Sequence, residues 1–187
     1  RECVSMIRRV RVENGWVCGL PAADPRITSY KGIPFAAPPV GENRWRAPQP
    51  CPDWEGELFA ADFGPIAMQA NCAGDPQKDI YSREWAVDKE LAMSEDCLYL
   101  NIWTPDTAKE GDKLPVLFYI HGGGFTGGCG HEKHFDDPIW PTKGVIGVTI
   151  NYRLGPLGFA CLPELKEEAG HTGNYGLYDQ MTAMKWV

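Results

Sequence analysis

Three consecutive glycines, Gly122-Gly123-Gly124, stand between His121 and Phe125, directly after the apolar run Val116-Leu117-Phe118-Tyr119-Ile120. Without Cβ atoms such a stretch can bend sharply and approach a ligand closely. Its N–H groups are then free to point into a cavity, where they hold an anion or a developing oxyanion. A flexible glycine turn leaves the same trace in the sequence. Phosphate cradling is the competing use, but no G-x-x-x-x-G-K-[ST] occurs and no G-x-G-x-x-G joins a strand to a helix.

Other residues are weaker candidates. His121 has the chemistry of a general base, and equally that of a residue shaping the loop. His131, His134, Asp136 and Asp137 lie close enough in sequence to suggest metal ligands. Their spacing matches no metal motif, and a solvated rim loop is the preferred reading. His171 reads as a turn residue. Cys129 has no cation or helix start beside it to activate its thiol. The serines are Ser5, Ser29, Ser82 and Ser94, and none has the glycine flanks of a nucleophile elbow.

The elements that must position the loop follow from periodicity. Charged and apolar residues alternate from Arg9 up to Asn14-Gly15, with Trp16-Val17-Cys18 beyond, which predicts a hairpin with a type I′ turn at that dipeptide. Frequent prolines from Pro21 to Pro52 predict a surface path, interrupted by the apolar patch Tyr30–Ala36. Residues 80–93 carry weak helical character around Trp85 and Leu91. Leu98, Leu100 and Ile102 share one strand face, and Pro105 ends that strand. The continuous apolar runs Val116–Ile120 and Val145–Ile150 predict strands buried on both faces, hence an α/β class with a covered sheet. Leu177, Met181 and Met184 keep helical spacing from Asn174 onward, with Asp179 near the helix start.

Composition bounds the function. The chain has 187 residues, 18 basic and 25 acidic, for a net charge of −7. That balance argues against a general nucleic-acid binder. No stretch approaches the ~18 apolar residues of a membrane span. Seven cysteines are odd in number and widely spaced, without a CxxC pair. A complete disulfide framework and a zinc ribbon are both poor fits, and reduced thiols in a cytoplasmic protein are expected.

The chain resembles the type-B carboxylesterases, an α/β-hydrolase group that includes cholinesterases, bacterial p-nitrobenzyl esterases and the non-catalytic neuroligins. Tyr30–Pro39 resembles the family's F-x-G-I-P-Y-A-x-P-P stretch, and Arg44–Pro50 its R-F-x-x-P-x-P. Ser94–Asn101 reproduces the signature S-E-D-C-L-x-L-N. His121–Phe125, Asn151–Gly155 and Gly173–Gln180 follow in family order.

The resemblance implies a carboxylic ester hydrolase acting through a serine acyl-enzyme, with a small-molecule ester as substrate and no cofactor or metal. It implies that Gly123 and Gly124 donate two oxyanion-hole N–H groups. A non-catalytic binding or adhesion protein on the same fold is the alternative. The family's nucleophile, acid and base all fall beyond Val187. Glu95 and Arg44 match a structural ion pair. Secreted relatives bridge the signature cysteine to one in G-P-x-C-x-Q. Here Gly64–Gln69 carries Ala67 at that position, and Cys72 is the remaining candidate partner for Cys97. That departure favours a bacterial cytoplasmic enzyme. Trp85 falls where relatives place an aromatic wall for the leaving group, or in a packed core.

The chain starts at Arg1, and its helical pattern runs uncapped into Trp186-Val187. Residues 1–187 are therefore expected to form the N-terminal part of a single α/β-hydrolase domain. That part is expected to be inactive alone and to associate with a second chain or segment carrying the rest.

Overall fold

A computed structural model describes residues 8–70, 77, 80–84, 91–135 and 139–187. Cys72, Trp85, Asp136 and Asp137, named above, lie outside them. Among the described residues one sheet has seven strands. It starts as a hairpin of β1 (Arg8–Val12) and β2 (Gly15–Pro21). β3 (Ile27–Pro34) and β7 (Tyr99–Pro105) follow across the sheet, then β9 (Ile146–Ile150) and, at the edge, β8 (Val116–Ile120). β4 (Glu57–Phe59) pairs with β2 on a side branch. A two-stranded sheet joins β5 (Ile66–Ala67) to β6 (Met93–Ser94).

The hairpin forms, but its turn is not at Asn14-Gly15. Val12 pairs with Gly15, so Glu13-Asn14 makes the turn, and neither has positive φ. The Asn14 side chain instead donates to Cys51 O at 3.0 Å and accepts Trp186 Nε1–H at 3.0 Å. Gly15 is needed for space, because a Cβ there would stand 2.4 Å from Trp54 Nε1.

β7 is central and antiparallel to both neighbours, while β8 and β9 run parallel. Leu98 and Leu100 are buried in one core with Ile33, Phe35, Val148, Ile150, Tyr152 and Leu154, and Ile102 packs against it. Pro105 ends β7 as expected. The patch Tyr30–Ala36 becomes β3 and its continuation into that core.

Two burial expectations fail. β9 is buried from Gly147 to Ile150, but β8 is not: Val116 is 46% exposed and Ile120 38%. An apolar run reports what a strand is suited to pack against, and here β8 is the sheet edge, with Val116, Leu117 and Ile120 exposed. Of the expected 80–93 helix, Ile80–Glu84 is helix α1, residues 91–93 are not helical, and 85–90 lie outside the described residues. After α2 (Gly155–Phe159) and α3 (Pro163–Ala169), α4 (Tyr175–Trp186) forms where expected, yet turns the other way. Leu177, Met181 and Met184 face outward, and Tyr175, Gly176, Asp179, Gln180 and Ala183 are its buried face. The buried ion pair of Asp179 with Arg153 fixes this rotation.

Candidate active site

Parallel strands send their following loops off the same edge of a sheet, and ligands in open α/β sheets bind at that carboxyl edge. β8 and β9 do this here. His121–Phe125 leaves β8, and Asn151–Gly155 leaves β9 beside it. The two segments are stitched together. Tyr152 donates its hydroxyl to His121 O at 3.1 Å, and its ring stacks on the imidazole with centroids 4.4 Å apart. Gly155 N–H donates to Phe125 O at 2.7 Å, and Phe125 packs on Phe159. Gly130 N–H donates to Asn151 Oδ1 at 2.7 Å.

Inside this brace the chain turns through left-handed backbone, with φ +113° at Gly123, +60° at Gly124 and +63° at Phe125. Thr126 closes the turn by donating both its N–H and its hydroxyl to Gly123 O at 3.1 Å. Residues Gly122–Thr126 are exposed. Among the described residues, no hydrogen bond within the chain takes up the N–H of Gly123 or Gly124. The loop therefore carries two adjacent N–H groups, exposed at the carboxyl edge of the sheet. Such donors can hold an oxyanion, because their geometry is set before charge develops.

His121 lies under the loop. It is 3% exposed, and its Nδ1 stands 2.8 Å from Gly122 O. A carbonyl only accepts, so Nδ1 carries the proton and Nε2 is the bare nitrogen. Nε2 is buried without a partner among the described residues. Burial pulls the pKa down to about 4, against a smaller upward effect of the Gly122 bond. A base must reach its proton, and this nitrogen faces the interior. His121 shapes the loop. Its folded pKa lies below the unfolded value near 6.5, so the unfolded chain binds the extra proton first. Stability from this residue is full above about pH 6.5 and falls as pH drops toward 4. An NMR titration is expected to show the His121 ring neutral through pH 5.5 or so. Protonation near the ordinary value would contradict that burial.

The remaining candidates separate. His131 is buried and stacked on Phe63 at 4.4 Å, while His134 is exposed. Among the described residues no three His, Cys, Asp or Glu side chains gather as a metal site. His171 is an exposed turn residue whose Nδ1 meets Ala169 O. Cys97 and Cys129 are free, and burial pushes both thiols up, Cys129 to about 12. Arg44 and Glu95 form a bidentate ion pair at 2.5 and 2.7 Å on a partly exposed surface. Ser29 donates to Leu20 O, and Ser94 accepts from Asp96 N–H, so both serve local structure.

Sequence reading missed Tyr152, Asn151 and Gln69, which hold the loop. Tyr152 and Asn151 stood inside a quoted motif, but nothing in their spacing told what they touch. Arg153 was unread too. It is 3% exposed and bonds Asp179 through Nε at 2.8 Å, Nη2 at 2.7 Å and its own N–H at 3.0 Å. Burial raises the Asp179 carboxyl's affinity for its proton, and the three bonds from Arg153 oppose that.

Comparison with known proteins gives one family. The carboxylesterase family profile matches residues 7–187. Fumonisin B1 esterase of Sphingopyxis macrogoltabida is 44% identical over 86% of this chain and 28% of its own length. Para-nitrobenzyl esterase of Bacillus subtilis is 43% identical over 86% of this chain and 30% of its own. Acetylcholinesterase of Bungarus fasciatus is 37% identical over 96% of this chain and 29% of its own. Among solved structures, a PNB esterase superimposes with a TM-score of 0.77 at 38% identity, covering 96% of this chain and 34% of that one. Aspergillus niger EstA gives 0.78 at 27% identity over 97% of this chain and 32% of that one. The chain thus spans about a third or less of these relatives. Sequence motifs, strand order and superposition coincide along the same residues, and on that agreement the chain belongs to the carboxylesterase family, with the N-terminal part of its α/β-hydrolase fold.

Proposed function

We propose that this chain supplies the oxyanion-hole loop of a carboxylic ester hydrolase, with Gly123 and Gly124 as the donors. The observation that carries this reading is the pair of exposed, unused N–H groups on a braced, left-handed turn at the carboxyl edge of parallel strands. In the reaction a serine hydroxyl adds to the ester carbonyl. The carbonyl oxygen becomes an oxyanion and accepts hydrogen bonds from the two glycines. Collapse expels the alcohol and leaves an acyl-enzyme, which water then hydrolyses. Serine, acid and histidine belong to a segment or chain other than residues 1–187. The exposed apolar edge of β8 supports such a companion, since an uncovered edge strand favours pairing. Residues 1–187 are on this reading part of one domain. Free thiols at Cys18, Cys51, Cys97, Cys129 and Cys161 support a reducing, cytoplasmic setting. Among the described residues no helix is long and apolar enough to cross a membrane.

The test is p-nitrophenyl acetate turnover by the complete protein and by residues 1–187 alone. The complete protein is expected to turn over and to be blocked by a fluorophosphonate, and the isolated chain to be inactive. Equal turnover by the isolated chain would place the nucleophile within it and overturn the assignment.

A further inference from the structure

The loop that carries Gly123 and Gly124 is a closed bend whose two limbs touch backbone to backbone. A Cβ at Gly123 would fall 2.1 Å from Gly127 O. A Cβ at Gly128 would fall 2.5 Å from both Gly122 O and His121 Nδ1. The returning limb, 127–128, is therefore the wall against which 122–123 rests. Wherever it moves, the donor limb must follow, because contacts this close leave no slack.

A side chain from a distant segment holds that wall. The Gln69 carboxamide accepts the N–H of Gly128 at 2.9 Å and donates to Gly128 O at 3.0 Å. Its Nε2 also donates to Ala67 O at 3.1 Å, which sets the direction of the amide. The N–H and the C=O of one residue are thus both held, as an antiparallel strand partner would hold them. The clamp is anchored because Ile66–Ala67 is a strand, paired to Met93–Ser94. A second carboxamide repeats the arrangement one step on: Asn151 accepts Gly130 N–H and donates to Pro65 O at 3.2 Å.

We infer that Gln69 is a positioning residue for the oxyanion hole: its two-way pairing with Gly128 sets where the N–H groups of Gly123 and Gly124 stand. This rests on the donor role proposed above. Gln69 touches no reacting atom. It acts through Gly128 and the packing of Gly128 on Gly122.

A carboxylate at this position accepts from Gly128 N–H but faces Gly128 O and Ala67 O with no proton to donate. A protonated carboxyl restores the donor and reproduces the amide. Carbonyl oxygens around it disfavour the charged form, so its pKa lies above the ordinary glutamate value. Gln69→Glu in the complete protein is accordingly expected to lose about a hundredfold in kcat near pH 8, with KM nearly kept. The ratio of variant to wild-type rate should climb again toward about pH 5, as that carboxyl protonates. Inhibition by an aryl trifluoromethyl ketone, which forms the tetrahedral oxyanion, should weaken in step with kcat. Gln69→Leu should show the same loss without the recovery, and both variants should melt close to wild type. Wild-type turnover with unchanged kcat and ketone affinity in both variants overturns the clamp and leaves the ester-hydrolase reading standing. A loss without recovery in Gln69→Glu also overturns it. Absence of turnover in the wild-type protein overturns both.

Discussion

Gly123→Ala is expected to lower kcat/KM of the complete protein by about 10²-fold or more, because shifting this limb misplaces the N–H groups proposed to hold the oxyanion. Two independent facts produce it. At φ +113° an alanine is strained whatever the space around it. Its Cβ would also sit 2.1 Å from Gly127 O, a backbone atom with no rotamer to escape into. The limb must shift, and with it the direction of both N–H groups. Gly124→Ala is the internal control. Its φ of +60° lies in the small left-handed well that alanine enters at about 1–2 kcal/mol, and nothing stands within 4 Å of the new methyl. Both variants keep the N–H, but at Gly124 no contact forces the limb to move, so its loss should be far smaller. Steady-state kinetics on p-nitrophenyl esters with trifluoromethyl ketone inhibition decide the point. Near-normal turnover in Gly123→Ala, or the reverse order of the two variants, would remove the donor assignment. Proline at position 124 is a poorer probe, because its fixed negative φ conflicts with the bend as well as deleting the N–H.

How much of this was readable beforehand depends on which physics each residue reports. Strand existence was legible, since period-2 alternation and short apolar runs report local geometry. The hairpin, β7, β8, β9 and α4 all stand where the pattern puts them. Burial was legible only where a neighbour exists to cover the strand. Val116–Ile120 and Val145–Ile150 look alike in sequence, but one is a central strand and the other an edge. Helix rotation misled because Leu177, Met181 and Met184 form the more apolar stripe, while an ion pair holds the opposite face inward. The His-Gly-Gly-Gly loop was legible from its glycines. Its supports were not, because Gln69, Asn151 and Tyr152 act across 59, 21 and 31 residues and no periodicity links such positions.

That same rotation of α4 leads to the second large effect. Asp179→Ala is expected to destabilise the protein by about 3–5 kcal/mol, the range for removing one member of a buried ion pair. Asp179 is 0% exposed and accepts three hydrogen bonds from Arg153, one of them from the backbone at the exit of β9. Without it a buried guanidinium, one of whose nitrogens already lacks a partner among the described residues, loses its counter-charge. Gly158 and Gly176 each press against Arg153 O so closely that a Cβ would fall within 2.5 Å of it. The Arg153 backbone is thus packed tightly against α2 and α4. Asp179→Asn keeps an acceptor for the Arg153 N–H and should cost less than alanine. A double change of Arg153→Met with Asp179→Leu should also cost less than Asp179→Ala alone, since no charge is then stranded. Urea unfolding of the complete protein measures all of these. A cost below about 1 kcal/mol for Asp179→Ala would mean that apolar packing alone sets the helix rotation. The stripe Leu177–Met184 would then be free to turn inward. Because Arg153 leads into Leu154 and Gly155, and Gly155 holds Phe125 O, loosening this pair should also soften the Gly122–Thr126 loop. Asp179→Ala is thus expected to lower kcat below the melting transition, whereas a purely global destabilisation would leave kcat intact until the protein unfolds.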